Sequence, residues 1–322
     1  MSKLLRFAVA AAIVSGSAQA AFADERVLIF SAYPAEQAVL LSHLQPPPST
    51  PFAIFNGRRF FAGTIAGKSV VMGLVGIGLV NADATSAEAI QYFADHGITA
   101  KGIIFSGVAG GPSIGDVVVP DRWTDAAHNL YPVDSNMLAV AGTLAVELNS
   151  FLPIEDVTCL GLRLGNTPVQ LTVQPTLIVG GLGASADPYG GRKVPCLSHA
   201  GSLEGCEACG APLNTSPGVQ KFVMEAIPFL GPQFFLDLFS SFSSGGSSGA
   251  IVGDMETAAV ARNAELNGIP FLAFRAASDG PKGDPNPVSA AIGFPVQFVI
   301  YQQLAADNAA AVVLEFLNQW TP

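Results

Sequence analysis

Gly253-Asp-Met-Glu-Thr-Ala-Ala-Val-Ala-Arg262, followed by Gly268-Ile-Pro-Phe-Leu-Ala-Phe-Arg-Ala-Ala-Ser-Asp279, is the stretch that decides the fold. Met255 to Leu266 reads as a helix, with Gly268 as its C-terminal cap. Ile269 to Ala277 is a short apolar run and reads as a buried strand. The same alternation recurs upstream. Arg26 to Ala32 is a strand, and Pro34 suits the opening of a helix behind it. Prolines 46, 47, 48 and 51 mark a stiff loop. Ser69 to Val75 is a second strand that runs into Gly76-Ile-Gly78, and a helix follows from Asn81 to His96, closed by Gly97. Lys101 to Ser106 and Val117 to Val119 are further strands, and a last helix covers Phe298 to Asn318. Strands alternating with helices indicate an α/β layered domain, not an all-β one. Gly76-x-Gly78 lacks the third glycine of a dinucleotide fingerprint, and no acid follows about 20 residues on, so a Rossmann cofactor site is excluded.

Composition agrees with a folded, exported chain. Of 322 residues, half are hydrophobic and 12% charged, enough to bury a sizeable core. Residues 1–23 read as a secretory signal: Lys3 and Arg6, an apolar run from Phe7 to Val14, then small residues from Ser15 to Ala23. Cleavage would follow Ala20 or Ala23, leaving one domain over 24–322 in the periplasm or outside the cell. Loss of those two bases moves the formal charge from −10 to −12. So acidic a chain is a poor partner for nucleic acid or anionic lipid. No later run is long and apolar enough for a transmembrane span.

From about Pro188 to Ser216 the composition shifts to Gly, Pro, Ser and Cys, which reads as an inserted, cross-linked loop. Ser240 to Gly249 is a flexible Ser/Gly stretch. The four cysteines, Cys159, Cys196, Cys206 and Cys209, suit disulfides in an exported chain, and three pairings are open. The rival reading of Cys206-x-x-Cys209 is zinc, but a second such pair is missing. A redox-active pair is a third option.

Acids are scarce, so those at strand ends stand out. Glu36 follows the first strand, Glu256 opens a helix after Ile251-Val-Gly253, and Asp279 ends the strand after Pro270. Ligands of open α/β sheets collect outside the carboxyl ends of strands, so these three acids can converge on one pocket. The plainer readings are first-turn acids favoured by the helix dipole, and a turn-forming Asp-Gly-Pro.

The Met-Glu pair, helix, and strand ending Arg-x-x-Ser-Asp resemble the purine nucleoside phosphorylase and nucleosidase superfamily, most of all its methylthioadenosine/S-adenosylhomocysteine nucleosidase branch. Ser106-Gly-Val-Ala-Gly-Gly111 with Ile114-Gly-Asp-Val-Val-Val119 is similar to that family's glycine loop and next strand, and Gly76-Ile-Gly78 to its Gly-Ile-Gly turn. The resemblance spans roughly residues 26 to 320 outside the cysteine segment. It implies a three-layer α/β/α fold around a central mixed, twisted sheet, and a homo-oligomer, with a dimer favoured. It implies that Glu256 holds the ribose hydroxyls while Met255 packs on the sugar. Asp279 would protonate the leaving purine at N7, and Glu36 would deprotonate the attacking water. Gly107, Val108 and Ser278 would contact substrate, and Arg275, on the same strand face as Asp279, would pair with a site carboxylate or serve structure alone.

Glycosidic cleavage passes through an oxocarbenium-like transition state, which explains an acid on the base side and a carboxylate on the water side. Neither metal nor organic cofactor is required; the partner is a small nucleoside of adenosine, methylthioadenosine or S-adenosylhomocysteine type. The family's Gly-Asp-x-Phe loop, whose ring stacks on the base, is matched here by Val179-Gly-Gly-Leu-Gly-Ala-Ser185, which has no aromatic. A ring from the cysteine insert, or Phe222, would replace it. His128 reads as a surface residue. The alternatives to a hydrolase are a phosphate-dependent phosphorylase of the same fold and a non-catalytic binding or storage protein.

Overall fold

Val27-Leu-Ile-Phe30 is apolar on both strand faces, and all four residues are buried in β1 (Asp24–Ser31). Such a strand needs helices above and below it. The computed structural model describes residues 24–152, 168–196, 205–206, 249–294 and 296–322. In chain order, α1 (Pro34–Ser42), β2 (Ala53–Phe55), β3 (Arg58–Ile65), β4 (Lys68–Leu74), α2 (Leu79–Asp95) and β5 (Ile98–Gly110) form the first half. Then come β6 (Val117–Val119), β7 (Arg122–Thr124), β8 (Leu130–Pro132), α3 (Ser135–Ala141), β9 (Phe151–Leu152), β10 (Val169–Gln170), β11 (Leu177–Val179) and β12 (Leu182–Ser185). The chain closes with β13 (Ala250–Asp254), α4 (Thr257–Leu266), β14 (Phe271–Asp279), α5 (Pro287–Ile292) and α6 (Val296–Gln319).

One mixed sheet of twelve strands organises all the described strands but β9 and β10, which pair only with each other; its strand order is β2-β3-β4-β1-β5-β13-β12-β7-β8. β14 joins it along β5 and carries β6, which in turn pairs with β11. The β4, β1, β5 and β14 neighbours run parallel, so their carboxyl ends open on the same side. α1 packs with α6 and the β5–β14 region, while α2 packs with α4 and β5. Two helical layers thus cover the sheet, the α/β/α arrangement expected from the sequence.

Two boundaries differ from the sequence reading, and some elements are additional. The Lys101–Ser106 strand extends to Gly110, because Gly107 to Gly110 pair with Arg275 to Asp279 of β14; the glycine segment is strand where a loop was expected. The helix expected from Met255 starts at Thr257, with Glu256 at its N-cap in a non-helical conformation (φ −138°). Met255 and Glu256 therefore lie ahead of the first turn. The hairpin β2–β3 and the short strands β7 to β12 elsewhere in the fold were not anticipated. Gly97 and Gly268 do adopt positive φ at helix ends, and Pro34 does occupy the first turn of α1.

The expected leader (1–23), Cys159, Cys209, Phe222 and nearly all of the Ser/Gly stretch lie outside the described residues. Within the cysteine insert, Cys196 is disulfide-bonded to Cys206. That is one of the pairs the sequence allowed, and it takes the Cys206 thiol away from the zinc reading.

Candidate active site

The carboxyl ends of β1, β5, β13 and β14 surround a cavity of about 380 Å³. Glu36, Glu256 and Asp279 all line it, together with Val108, Met255 and Arg275. Ser278 lies beside them, and Tyr33, Ile77, Phe294 and Phe298 complete an apolar wall. Residues separated by more than 200 positions in the chain are brought together because β1, β5 and β14 are adjacent and parallel.

Glu36 sits in the first turn of α1 and is buried. Its Oε2 accepts from the Ala32 amide at 2.6 Å, and its Oε1 accepts from the Val108 amide at 2.7 Å. Burial pushes this carboxyl upward; Arg275 and the amides of Val108, Ala32 and Tyr33 pull it back toward ionisation. Gly107 does not line the cavity, contrary to its expected substrate contact. A β-carbon there would overlap the Glu36 carboxylate and the Arg275 guanidinium. Its contribution is the room it leaves.

Glu256 is held from two directions. Its Oε1 accepts from the Gly78 amide at 2.9 Å, and Arg275 Nη2 donates to its Oε2 at 3.2 Å. Burial raises its pKa, and the nearby Asp254 and Glu36 charges act in the same direction, against Arg275. Asp279 ends β14 and accepts from Ser278 Oγ at 3.0 Å. Burial raises its pKa to about 6, so about a tenth of it is still protonated at pH 7, far more than for an ordinary carboxyl.

Arg275 is the hub of the cluster. Its side chain is 1% exposed and meets Asp254 at 3.0 Å, Glu256 at 3.2 Å and Glu36 at 3.7 Å. The guanidinium also lies 4.8 Å from the centre of the Phe105 ring. Three carboxylates around one cation keep it charged: despite burial, its pKa is raised, most by Asp254. Arg275 thus lines the cavity and pairs with Glu36 and Glu256, two of the carboxylates named from the sequence.

Asp254 was missed as a site residue, although it lies inside the Gly253-Asp-Met-Glu quotation. It accepts from Ser185 Oγ, from the amides of Glu256 and Thr257 at 3.2 Å each, and from Thr257 Oγ1. It thereby ties β12 to the start of α4 and anchors Arg275. The apolar rings were also missed. Tyr33 stands three residues before Glu36, and Phe294 and Phe298 flank the start of α6; an isolated aromatic beside a helix boundary carries no distinctive sequence signal. The Val179–Ser185 stretch forms β11 and β12 and contributes nothing to the lining. His128 is exposed, in a turn with φ 62°.

A family model described as the phosphorylase superfamily matches residues 26–156 and 245–318. The chain belongs to the phosphorylase superfamily. The unmatched interval contains the cysteine insert. An uncharacterised protein of Mycobacterium tuberculosis is 40% identical over 189 residues, which is 56% of this chain and 75% of that protein. A 5′-methylthioadenosine/S-adenosylhomocysteine nucleosidase of Shewanella halifaxensis is 25% identical over 300 residues, covering 91% of this chain and 99% of its own length. Among solved structures, the nucleosidase of that name from Neisseria meningitidis, in complex with methylthio-immucillin-A, matches with TM-score 0.53 at 20% identity, over 92% of this chain and 99% of its own. The superfamily fold expected from the motifs is thus shown.

Proposed function

We propose that this superfamily member hydrolyses the N-glycosidic bond of a purine nucleoside of adenosine, methylthioadenosine or S-adenosylhomocysteine type, releasing the free base and the sugar. The observation that carries the reading is the convergence of three carboxylates in unlike environments on one cavity. Asp279, raised to about 6 by burial, retains protons to donate to N7 as the base leaves. Glu36, ion-paired and bonded by two amides, receives the proton of the attacking water. Glu256 accepts from the ribose hydroxyls, with Met255 packed beside the sugar. Burial raises both carboxyls, but at Glu36 the Arg275 charge and three backbone amides oppose the rise while at Asp279 the Ser278 hydroxyl alone does, an asymmetry of the kind that acid–base division of labour uses. A protein that only binds nucleosides has no use for that division. The rings of Tyr33, Phe294 and Phe298 offer the apolar surface for the base that β11 and β12 do not supply. We further propose that the chain is exported, consistent with its leader and its disulfide, and that it works as a dimer.

The test is base release from adenosine, inosine, methylthioadenosine and S-adenosylhomocysteine. Asp279→Asn and Glu36→Gln should each lower turnover by about 10²–10⁴-fold, the usual range for a general acid or base. Glu256→Gln should raise KM and also lower kcat, since sugar contacts tighten in the transition state. Near wild-type turnover in all three variants would refute the site.

A further inference from the structure

The described part of the cysteine insert lies against the turn that holds Glu256. That turn is Gly76-Ile-Gly78, at the start of α2. Gly78 has φ 90° and ψ 151°, a conformation open to glycine and strained for other residues, and its amide donates to Glu256 Oε1 at 2.9 Å. On the side where a side chain would project stands the Tyr189 ring, which a β-carbon on Gly78 would approach to 2.9 Å. Five residues on, the Val194 carbonyl accepts from Asn81 Nδ2 at 2.6 Å and from Arg58 Nη2 at 3.1 Å. The same Asn81 amide donates to Ile77 O at 2.8 Å, inside the turn. Arg58 completes the clamp: its guanidinium packs against Gly76, leaving no room for a β-carbon there. Two residues after Val194 comes Cys196, bonded to Cys206. Tyr189 and Val194 are both buried.

We propose that residues 189–196 form a positioning strap, in which Tyr189 and the Val194 carbonyl fix the Gly78 amide so that Glu256 is aimed at the sugar hydroxyls, and that the Cys196–Cys206 disulfide holds the strap shut. These residues fall outside the interval matched by the superfamily model, so the strap is an addition of this chain to a shared site. It touches no substrate itself. Its only route to the sugar is through Gly78 and Glu256, which gives it a distinctive signature: loosening it weakens recognition of the hydroxyls and leaves the acid on the base side alone. A carboxylate that keeps Arg275 but loses its amide donor is free to rotate, and the cost falls on the bonds it makes to ligand.

The inference rests on the proposed nucleosidase reading, and the experiment separates the two. The readout is the ratio of kcat/KM for adenosine to that for 2′,3′-dideoxyadenosine, in the full-length oxidised protein. In Glu256→Gln this ratio should collapse; if it is unmoved, or if no nucleoside is cleaved by the wild type, the functional reading itself fails. With that control in place, Tyr189→Ala should lower the ratio about tenfold, the equivalent of one weakened hydrogen bond to a charged group, and Tyr189→Phe should restore it. Reduction of the disulfide in the wild-type protein should lower the ratio in the same direction, and this arm decides if Tyr189→Ala does not fold. A Tyr189→Ala enzyme that loses activity equally on both substrates, or a reduced enzyme with an unchanged ratio, would overturn the strap.

Discussion

Asp279 carries the clearest consequence at the level of single residues. Its carboxyl is raised to about 6 from 3.8 by burial, against the opposing Ser278 hydroxyl. An acid of that strength is charged when unfolded and largely neutral when folded across the interval from about pH 4 to about pH 6, so the folded state binds the extra proton. The sign follows. Asp279 adds no penalty below that interval, and it costs stability increasingly as pH rises through it. As general acid it acts only while protonated, so kcat/KM should fall about tenfold per unit above pH 6. In Asp279→Asn the residual turnover should lack this alkaline limb. The same variant should melt at the wild-type temperature near pH 4 and above it at pH 8, because no buried charge must form. A melting temperature of Asp279→Asn that tracks the wild type at both pH values would show that the carboxyl is not buried as described.

At the scale of elements, what counts is how closely β5, α1 and β14 approach. β5 can pass beside Glu36 and Arg275 only because Gly107 has no side chain. Gly107→Ala should therefore do two things at once. Overpacking in a well-filled core costs about 1–3 kcal/mol, readable in a denaturant midpoint. Displacing Glu36 from the Val108 amide should reduce kcat by more than tenfold, a fall in the range of lost acid–base catalysis. Full turnover in Gly107→Ala would mean that the Glu36 placement is not needed. Glu36, Glu256 and Asp279 could be singled out in the sequence because each follows or ends a strand or opens a helix, a local property, whereas Met255 and Arg275, the latter inside β14, were named through the family resemblance. Gly107 was misread because a glycine-rich run looks like a loop until its partner strand is known. Pairing with β14 is a long-range fact. The β2–β3 hairpin was different: Asn56-Gly57, at φ 48° and 79°, is a strong turn signal that was present and passed over. The rings on the cavity wall carried no such signal, since Phe294 and Phe298 reach it only through the docking of α6.

Across the whole molecule, charge decides between water and phosphate as the acceptor. The chain carries a formal −10, and four carboxylates, Glu36, Asp254, Glu256 and Asp279, line the cavity. A phosphorolytic site must hold a dianion against the anomeric carbon, which needs cationic or strong hydrogen-bonding partners. Arg275 is the one cation among the described lining residues, and Asp254, Glu256 and Glu36 already surround it. Arg192 and Lys193, bases of the insert, are exposed and lie outside that lining; the Arg192 side chain donates to Tyr189 O at 2.9 Å. The Val108 amide, a donor an anion would seek, is already given to Glu36. A phosphate dianion entering here would meet Glu36 at short range, with no unpaired cation among the described lining residues to offset it. Base release should therefore proceed at full rate in phosphate-free buffer, yield the free sugar, and be unchanged or mildly inhibited by millimolar phosphate. Strict dependence on phosphate, with a sugar 1-phosphate as the product, would show that an anion site forms here despite the carboxylates, and would replace hydrolysis with phosphorolysis.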